Sequence, residues 1–172
     1  MTVTRREFLA TTTALSVSRK RQPRDPQELR ARLLGAWQLI NAVTVYPSGS
    51  TGPWYQRPGP YTGLLIYSNA NMMSVQIASA RPPVRGHPEF MRMSESERVQ
   101  YLDTYYAYFG SFEVDAATSE VRHRIESSLD PAEVGLTYTQ KVSIATDRLT
   151  LTTQPWRVGS AWWHSRLTWR RS

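Results

Sequence analysis

The stretch from Ala107 to Leu129, AYFGSFEVDAATSEVRHRIESSL, alternates apolar or small residues with polar ones along two successive runs. Tyr108, Gly110, Phe112 and Val114 fall on every second position of the first run, and Val121, His123, Ile125 and Ser127 do so on the second. A period of two marks a strand with one buried face, so Ser111, Glu113, Arg122, Arg124 and Glu126 are expected to face water. The interruption Asp115-Ala116-Ala117-Thr118-Ser119 is turn-like, which makes the pair an antiparallel hairpin. His123 is the odd member, a titratable ring in an otherwise apolar inward row.

The same period recurs on both sides of the hairpin. Gly35-Ala36-Trp37 opens a first strand whose inward row is Trp37, Leu39, Asn41, Val43 and Val45. Tyr61 to Tyr67 and Met72 to Ala78 follow, with Met73, Val75 and Ile77 inward, joined by Ser68-Asn69-Ala70-Asn71, in which Asn tolerates positive φ. The hairpin supplies the fourth and fifth strands. Leu136 to Ile144 is the sixth, with Leu136, Tyr138, Gln140, Val142 and Ile144 inward, and Arg148 to Thr153 is the seventh, with Leu149 and Leu151 inward. Trp162 to Arg171 closes the series with Trp163, Ser165, Leu167, Trp169 and Arg171 on one side. The expected class is all-β, a single eight-stranded antiparallel barrel, the size at which an interior holds side chains or one small ligand.

Between the third and fourth strands, Ser94-Glu95-Ser96-Glu97 has the form of a capping box and predicts one helix, with Val99, Leu102, Tyr105 and Tyr106 as an apolar face laid against the barrel. Gln27 to Leu34 is a short amphipathic stretch with Leu29, Leu33 and Leu34 on one side, leading into the first strand. The segment Tyr46 to Pro60 is dense in Pro, Gly and Ser and is expected to be irregular. Its Trp54 and Tyr55 either close over the open end of the barrel or pack on its rim. Arg81 to Pro88, Pro131 to Gly135 and Gln154 to Ala161 read as loops, and His87 as a solvated residue with nothing at metal-ligand spacing beside it.

A chain of 172 residues suits one domain, which at this size buries roughly 70% of its unfolded surface. The absence of cysteine removes disulfides, thiolate metal sites and thiol nucleophiles. A net charge of +7 suggests nucleic acid, yet residues 1 to 24 hold six cations against Glu7, a net of +5, and leave +2 for the rest. That body has no electrostatic footprint for nucleic acid. No nucleotide loop, nucleophile elbow or paired-His zinc motif is present, so no cofactor and no metal are expected. Thr4-Arg5-Arg6-Glu7-Phe8-Leu9-Ala10 resembles a twin-arginine export signal, followed by a short threonine-rich apolar run to Val17 that falls well short of the ~20 residues of a membrane span. Residues 1–24 thus read either as that signal, with export to a periplasmic or extracellular location, or as a basic tail on a cytoplasmic protein. Residues 25–172 are the barrel domain.

Leu33-Leu34-Gly35-Ala36-Trp37, Gly63-Leu64-Leu65-Ile66-Tyr67, Met73-Ser74-Val75-Gln76-Ile77, Tyr108 to Val114 and Trp169-Arg170-Arg171 together resemble the bacterial and fungal lipocalin-like domain family. The resemblance implies a barrel around a small apolar ligand and a stack of Arg171 on Trp37 at the closed end, worth ~0.5 to 2 kcal/mol. It also sets His123 where the family's fifth strand carries a His, and Gln140 where the family tends to carry an Arg, which suits a less acidic ligand. Two functions follow. The first is binding of a small hydrophobic molecule, with Tyr108, Phe112, Tyr138 and Trp163 as walls, Trp54 over the mouth, and His123 and Gln140 orienting the ligand. The second is a cofactor-free isomerase or cyclase on a biosynthetic intermediate, with His123 moving a proton. His123 is alternatively a satisfied core histidine, and the inward aromatics alternatively fill the barrel themselves.

Overall fold

A computed structural model describes residues 25–81 and 83–172. The twin-arginine-like segment around Arg5-Arg6 lies outside the described residues. At the start of the described chain, the Asp25 side chain accepts from the Gln27 N–H and caps α1 (Pro26–Leu33), a single short helix that buries Leu29 and Leu33. Then come β1 (Gly35–Val45), β2 (Thr51–Pro53), a 3-10 turn (Trp54–Gln56), β3 (Thr62–Tyr67) and β4 (Met72–Ala78). Two helices, α2 (His87–Arg92) and α3 (Glu95–Leu102), precede the long hairpin β5 (Tyr105–Asp115) and β6 (Glu120–Ser128). A second 3-10 turn (Pro131–Glu133) leads to β7 (Thr137–Ile144), β8 (Arg148–Thr153), β9 (Trp156–Val158) and β10 (Ala161–Arg171).

Eight of these strands close an antiparallel barrel in the order β1-β3-β4-β5-β6-β7-β8-β10, and β10 returns to β1. The three-residue β2 and β9 are flaps on the outer pair, hydrogen-bonded to β1 and β10 at the same end of the barrel. No helix among the described residues is long and apolar enough to cross a membrane. The opposite end is shut by α1. There the Arg171 guanidinium lies 4.2 Å from the centroid of the Trp37 ring, and its Nη1 and Nη2 donate to the carbonyls of Leu34 and Arg32, the last turn of α1. The Trp37 indole donates to Leu33 O at 2.8 Å, so helix, first strand and last strand are tied at one point.

Most inward rows are those expected from the sequence, and the departures have local causes. Ile40 is an extra residue in β1 against β10, a bulge that inverts the faces beyond it. Ala42 and Thr44 are therefore buried and Asn41 is exposed, against the expected row, while Val43 is half-buried and Val45 at the strand end is buried as expected. Leu136 precedes β7 and is 48% exposed instead of inward. The capping box at Ser94 is present, but α3 ends at Leu102 and leaves Val99 and Leu102 each 51% exposed, while Tyr105 and Tyr106 belong to β5. The expected single helix there is thus two short ones, and the apolar face does not pack on the barrel. His87, expected in a loop, is exposed at the first position of α2. The Tyr46 to Pro60 segment contains a short strand and a 3-10 turn, and the 154–161 segment contains β9.

Candidate functional site

The end of the barrel away from α1 opens into an interior cavity of about 240 Å³. Strand starts and strand ends meet there, so residues distant in sequence share its wall: Tyr106 and Tyr108 from β5, Tyr138 and Gln140 from β7, Leu151 from β8 and Trp169 from β10. The exposed Tyr55, Thr137 and Gln154 mark its mouth. Over one side of that mouth sits the 3-10 turn. Its Trp54 N–H donates to Tyr61 Oη (2.9 Å) and its Tyr55 N–H to Thr44 Oγ1 (3.2 Å), which fix the turn to β1 and to the residue just before β3. Tyr55 and Gln56 both take positive φ, 45° and 59°, a conformation that costs an aromatic residue about 1–2 kcal/mol and turns the chain sharply at the rim. The Tyr55 ring is stacked on Trp156 with centroids 5.3 Å apart, joining the turn to β9 across the mouth.

One layer behind the wall lies His123, fully buried. Its Nε2 is 2.8 Å from Tyr67 Oη, and its Nδ1 is 2.9 Å from Tyr108 Oη and 3.2 Å from Gln140 Nε2. An amide nitrogen only donates, so with the Gln140 amide in this orientation Nδ1 is the acceptor, and Nε2 carries the hydrogen and donates to Tyr67. Burial drives the His123 pKa down to about 3, because a charged imidazole loses its hydration there. The same burial raises Tyr67 and Tyr108 well above the ordinary tyrosine value, in Tyr108 against a lowering hydrogen bond from Gln140. The network is neutral throughout, and Tyr108 and Gln140 are the members that reach the cavity.

Of the residues singled out from the sequence, Trp54, Tyr108, Tyr138 and Gln140 stand on the cavity wall. His123, Phe112 and Trp163 do not. Phe112 packs against the Tyr67 ring at 4.7 Å, toward the closed half, and Trp163 meets Tyr46 edge-on at 4.9 Å. Trp37 and Arg171 close the far end, as already described. Two wall residues keep a buried donor without a partner, the indole N–H groups of Trp54 and Trp169. Glu133, absent from the sequence reading, sits in the turn before β7 and accepts from Tyr106 Oη (3.1 Å) and Ser128 Oγ (2.7 Å). The Asp130-Pro131 start of that turn, where the Asp130 side chain accepts from the Ala132 N–H, is the signal that marks it as ordered. Nothing in the local pattern says that Tyr106 would turn toward it. No group of three or more metal-ligating side chains occurs among the described residues.

A family model described as a lipocalin-like domain matches residues 34–172, from the end of α1 to the C-terminus. No curated protein matches the chain.

Proposed function

The chain belongs to the lipocalin-like domain family, and from that premise we propose that the barrel binds one small, mainly apolar molecule in the cavity bounded by Trp54, Tyr108, Gln140 and Trp169. The observation that carries this reading is the cavity itself. Its 240 Å³ exceed the ~150 Å³ that suffices to hold benzene in an apolar cavity, which leaves room for a body larger than a single ring. Aromatic and aliphatic side chains supply most of the wall, with a few neutral polar groups to orient a ligand, the usual make-up of a small-molecule site. The unpartnered indole donors of Trp54 and Trp169 favour a ligand that brings an acceptor oxygen, since a buried donor left unpaired costs about 1–3 kcal/mol.

The alternative from the sequence, an isomerase or cyclase, calls for a group that gains or loses a proton near neutral pH. His123 at about pKa 3 and tyrosines held above their ordinary value resist both, and this favours binding over proton transfer. We further propose that the protein acts after export by the twin-arginine route, on the strength of Arg5-Arg6 directly before Phe8-Leu9. Replacing both arginines by Lys is expected to retain a reporter fusion in the cytoplasm; a fusion that stays inside with the native arginines contradicts export. For the ligand, native mass spectrometry of the full chain purified from its own host is the test. A one-to-one adduct of a few hundred daltons that leaves on denaturation is expected, and a bare chain that also takes up none of a panel of neutral aromatic molecules contradicts the proposal.

A further inference from the structure

We propose that the cavity selects an organic cation, a tertiary or quaternary ammonium on an apolar body; this rests on the binding reading above and deepens it. Seven aromatic residues, three tryptophans (Trp54, Trp156, Trp169) and four tyrosines (Tyr55, Tyr106, Tyr108, Tyr138), contribute to the wall, and no Lys, Arg or His does. Aromatic rings carry negative potential over their faces and attract a cation held within about 6 Å of the centroid. The Trp54 ring already does so, with the Arg57 guanidinium 5.8 Å from its centroid; Tyr55 and Trp156 stack on each other, and among the described residues no side-chain cation lies over the rings of Tyr106, Tyr108 or Tyr138.

A full negative charge stands just behind this wall. Glu133 is held by the Tyr106 and Ser128 hydroxyls at 3.1 and 2.7 Å, and it takes part in none of the ion pairs among the described residues. Its field reaches the cavity. Burial first, and the Glu133 carboxylate among the further causes, hold the hydroxyls of Tyr55, Tyr106, Tyr108 and Tyr138 above the ordinary tyrosine range. Burial by itself opposes a charge of either sign, as it does at His123; the carboxylate hydrogen-bonded to Tyr106 of the wall is what favours a cation over an anion there. The class of cation follows from hydrogen bonding. A primary ammonium brings three donors that each need an acceptor, and two of the wall's own polar groups are themselves unsatisfied donors. An alkylated nitrogen carries the same charge with one donor or none and is more weakly hydrated.

The experiment pairs two isosteres that differ in one atom, phenyltrimethylammonium and tert-butylbenzene, each titrated into the full chain and followed by tryptophan fluorescence. The cation is expected to bind roughly tenfold tighter, within the range of desolvated cation–π contacts. Glu133→Gln is nearly isosteric and removes the charge, with one of the Tyr106 and Ser128 hydroxyls turning to accept from the new amide NH2, so it should erase most of that preference while leaving the affinity for tert-butylbenzene unchanged, which also shows that the variant is folded. Equal or tighter binding of tert-butylbenzene by the wild-type chain, a comparison that needs no variant, overturns the inference while leaving the binding reading intact. A preference undiminished in Glu133→Gln overturns the role of the carboxylate. If neither probe binds, the binding reading falls and this inference falls with it.

Discussion

His123 shows how one residue sets the character of the interior. An imidazole whose pKa drops from 6.5 to about 3 on folding binds fewer protons in the native state than in the unfolded chain. Between those values the unfolded state is favoured as pH falls, at about 1.4 kcal/mol per pH unit, and above about 6.5 the residue adds no pH dependence. His123→Gln should therefore lose stability less steeply than the wild type between pH 6 and 4 in urea titrations. At pH 7 it should be less stable by about 1–3 kcal/mol, because the Tyr67 and Tyr108 hydroxyls lose their ring partner. Equal slopes for the two proteins would mean that His123 takes up its proton without leaving the fold. That His123 points inward is legible in the alternation of its strand. That it is enclosed by hydroxyls from β3 and β5 is not, since Tyr67 lies 56 positions away and only barrel closure brings it near.

Among the elements, the β5–β6 hairpin is the one most fully written in the sequence, and its glycine marks a close approach of the two strands. A β-bulge falls between Phe109 and Gly110, where Glu126 of β6 is the extra residue and Gly110 pairs with Ile125. A Cβ on Gly110 would lie 1.9 Å from the Arg124 carbonyl oxygen, a backbone atom that cannot step aside. Gly110→Ala is accordingly expected to lower stability by about 2–4 kcal/mol, at the upper end of single substitutions. A urea midpoint within experimental error of the wild type would show that the hairpin relaxes there at no cost. The bulge in β1 was not legible in the same way. Trp37-x-Leu39-x-Asn41 keeps an acceptable alternation by itself, and only the pairing with Leu167 and Trp169 on β10 reveals that Ile40 is supernumerary. The face of α3 failed for a related reason: Val99, Leu102, Tyr105 and Tyr106 share a helical period, but the helix stops before the tyrosines, which β5 takes for its own ladder with β4.

At the scale of the whole molecule, the barrel is sealed at one end and hollow at the other. The sealed end was readable from Trp37 and Arg171, because the ordered family blocks place them on the first and last strands. The hollow end was readable only in part. Trp54, Tyr108, Tyr138 and Gln140 could be named from alternation and from the lid-like loop, whereas Trp156, Tyr106 and Glu133 come from segments read as loops or as a helix face. Whether the aromatics fill the lumen or line it depends on the summed shape of eight strands, which no local pattern carries. The claim on which everything else rests is that the space between Trp54, Tyr108, Gln140 and Trp169 takes up a ligand through the mouth at Thr137. Titration with the neutral fluorescent probe N-phenyl-1-naphthylamine tests it most directly, comparing the wild type with Thr137→Trp, a substitution at an exposed strand position that fits a large ring into the mouth and leaves the core untouched. Saturable one-site binding in the wild type, weakened at least ~tenfold, or ~1.4 kcal/mol, in a variant of the same melting temperature, is the expected result. Identical binding by the two proteins, or no binding by either, would contradict it.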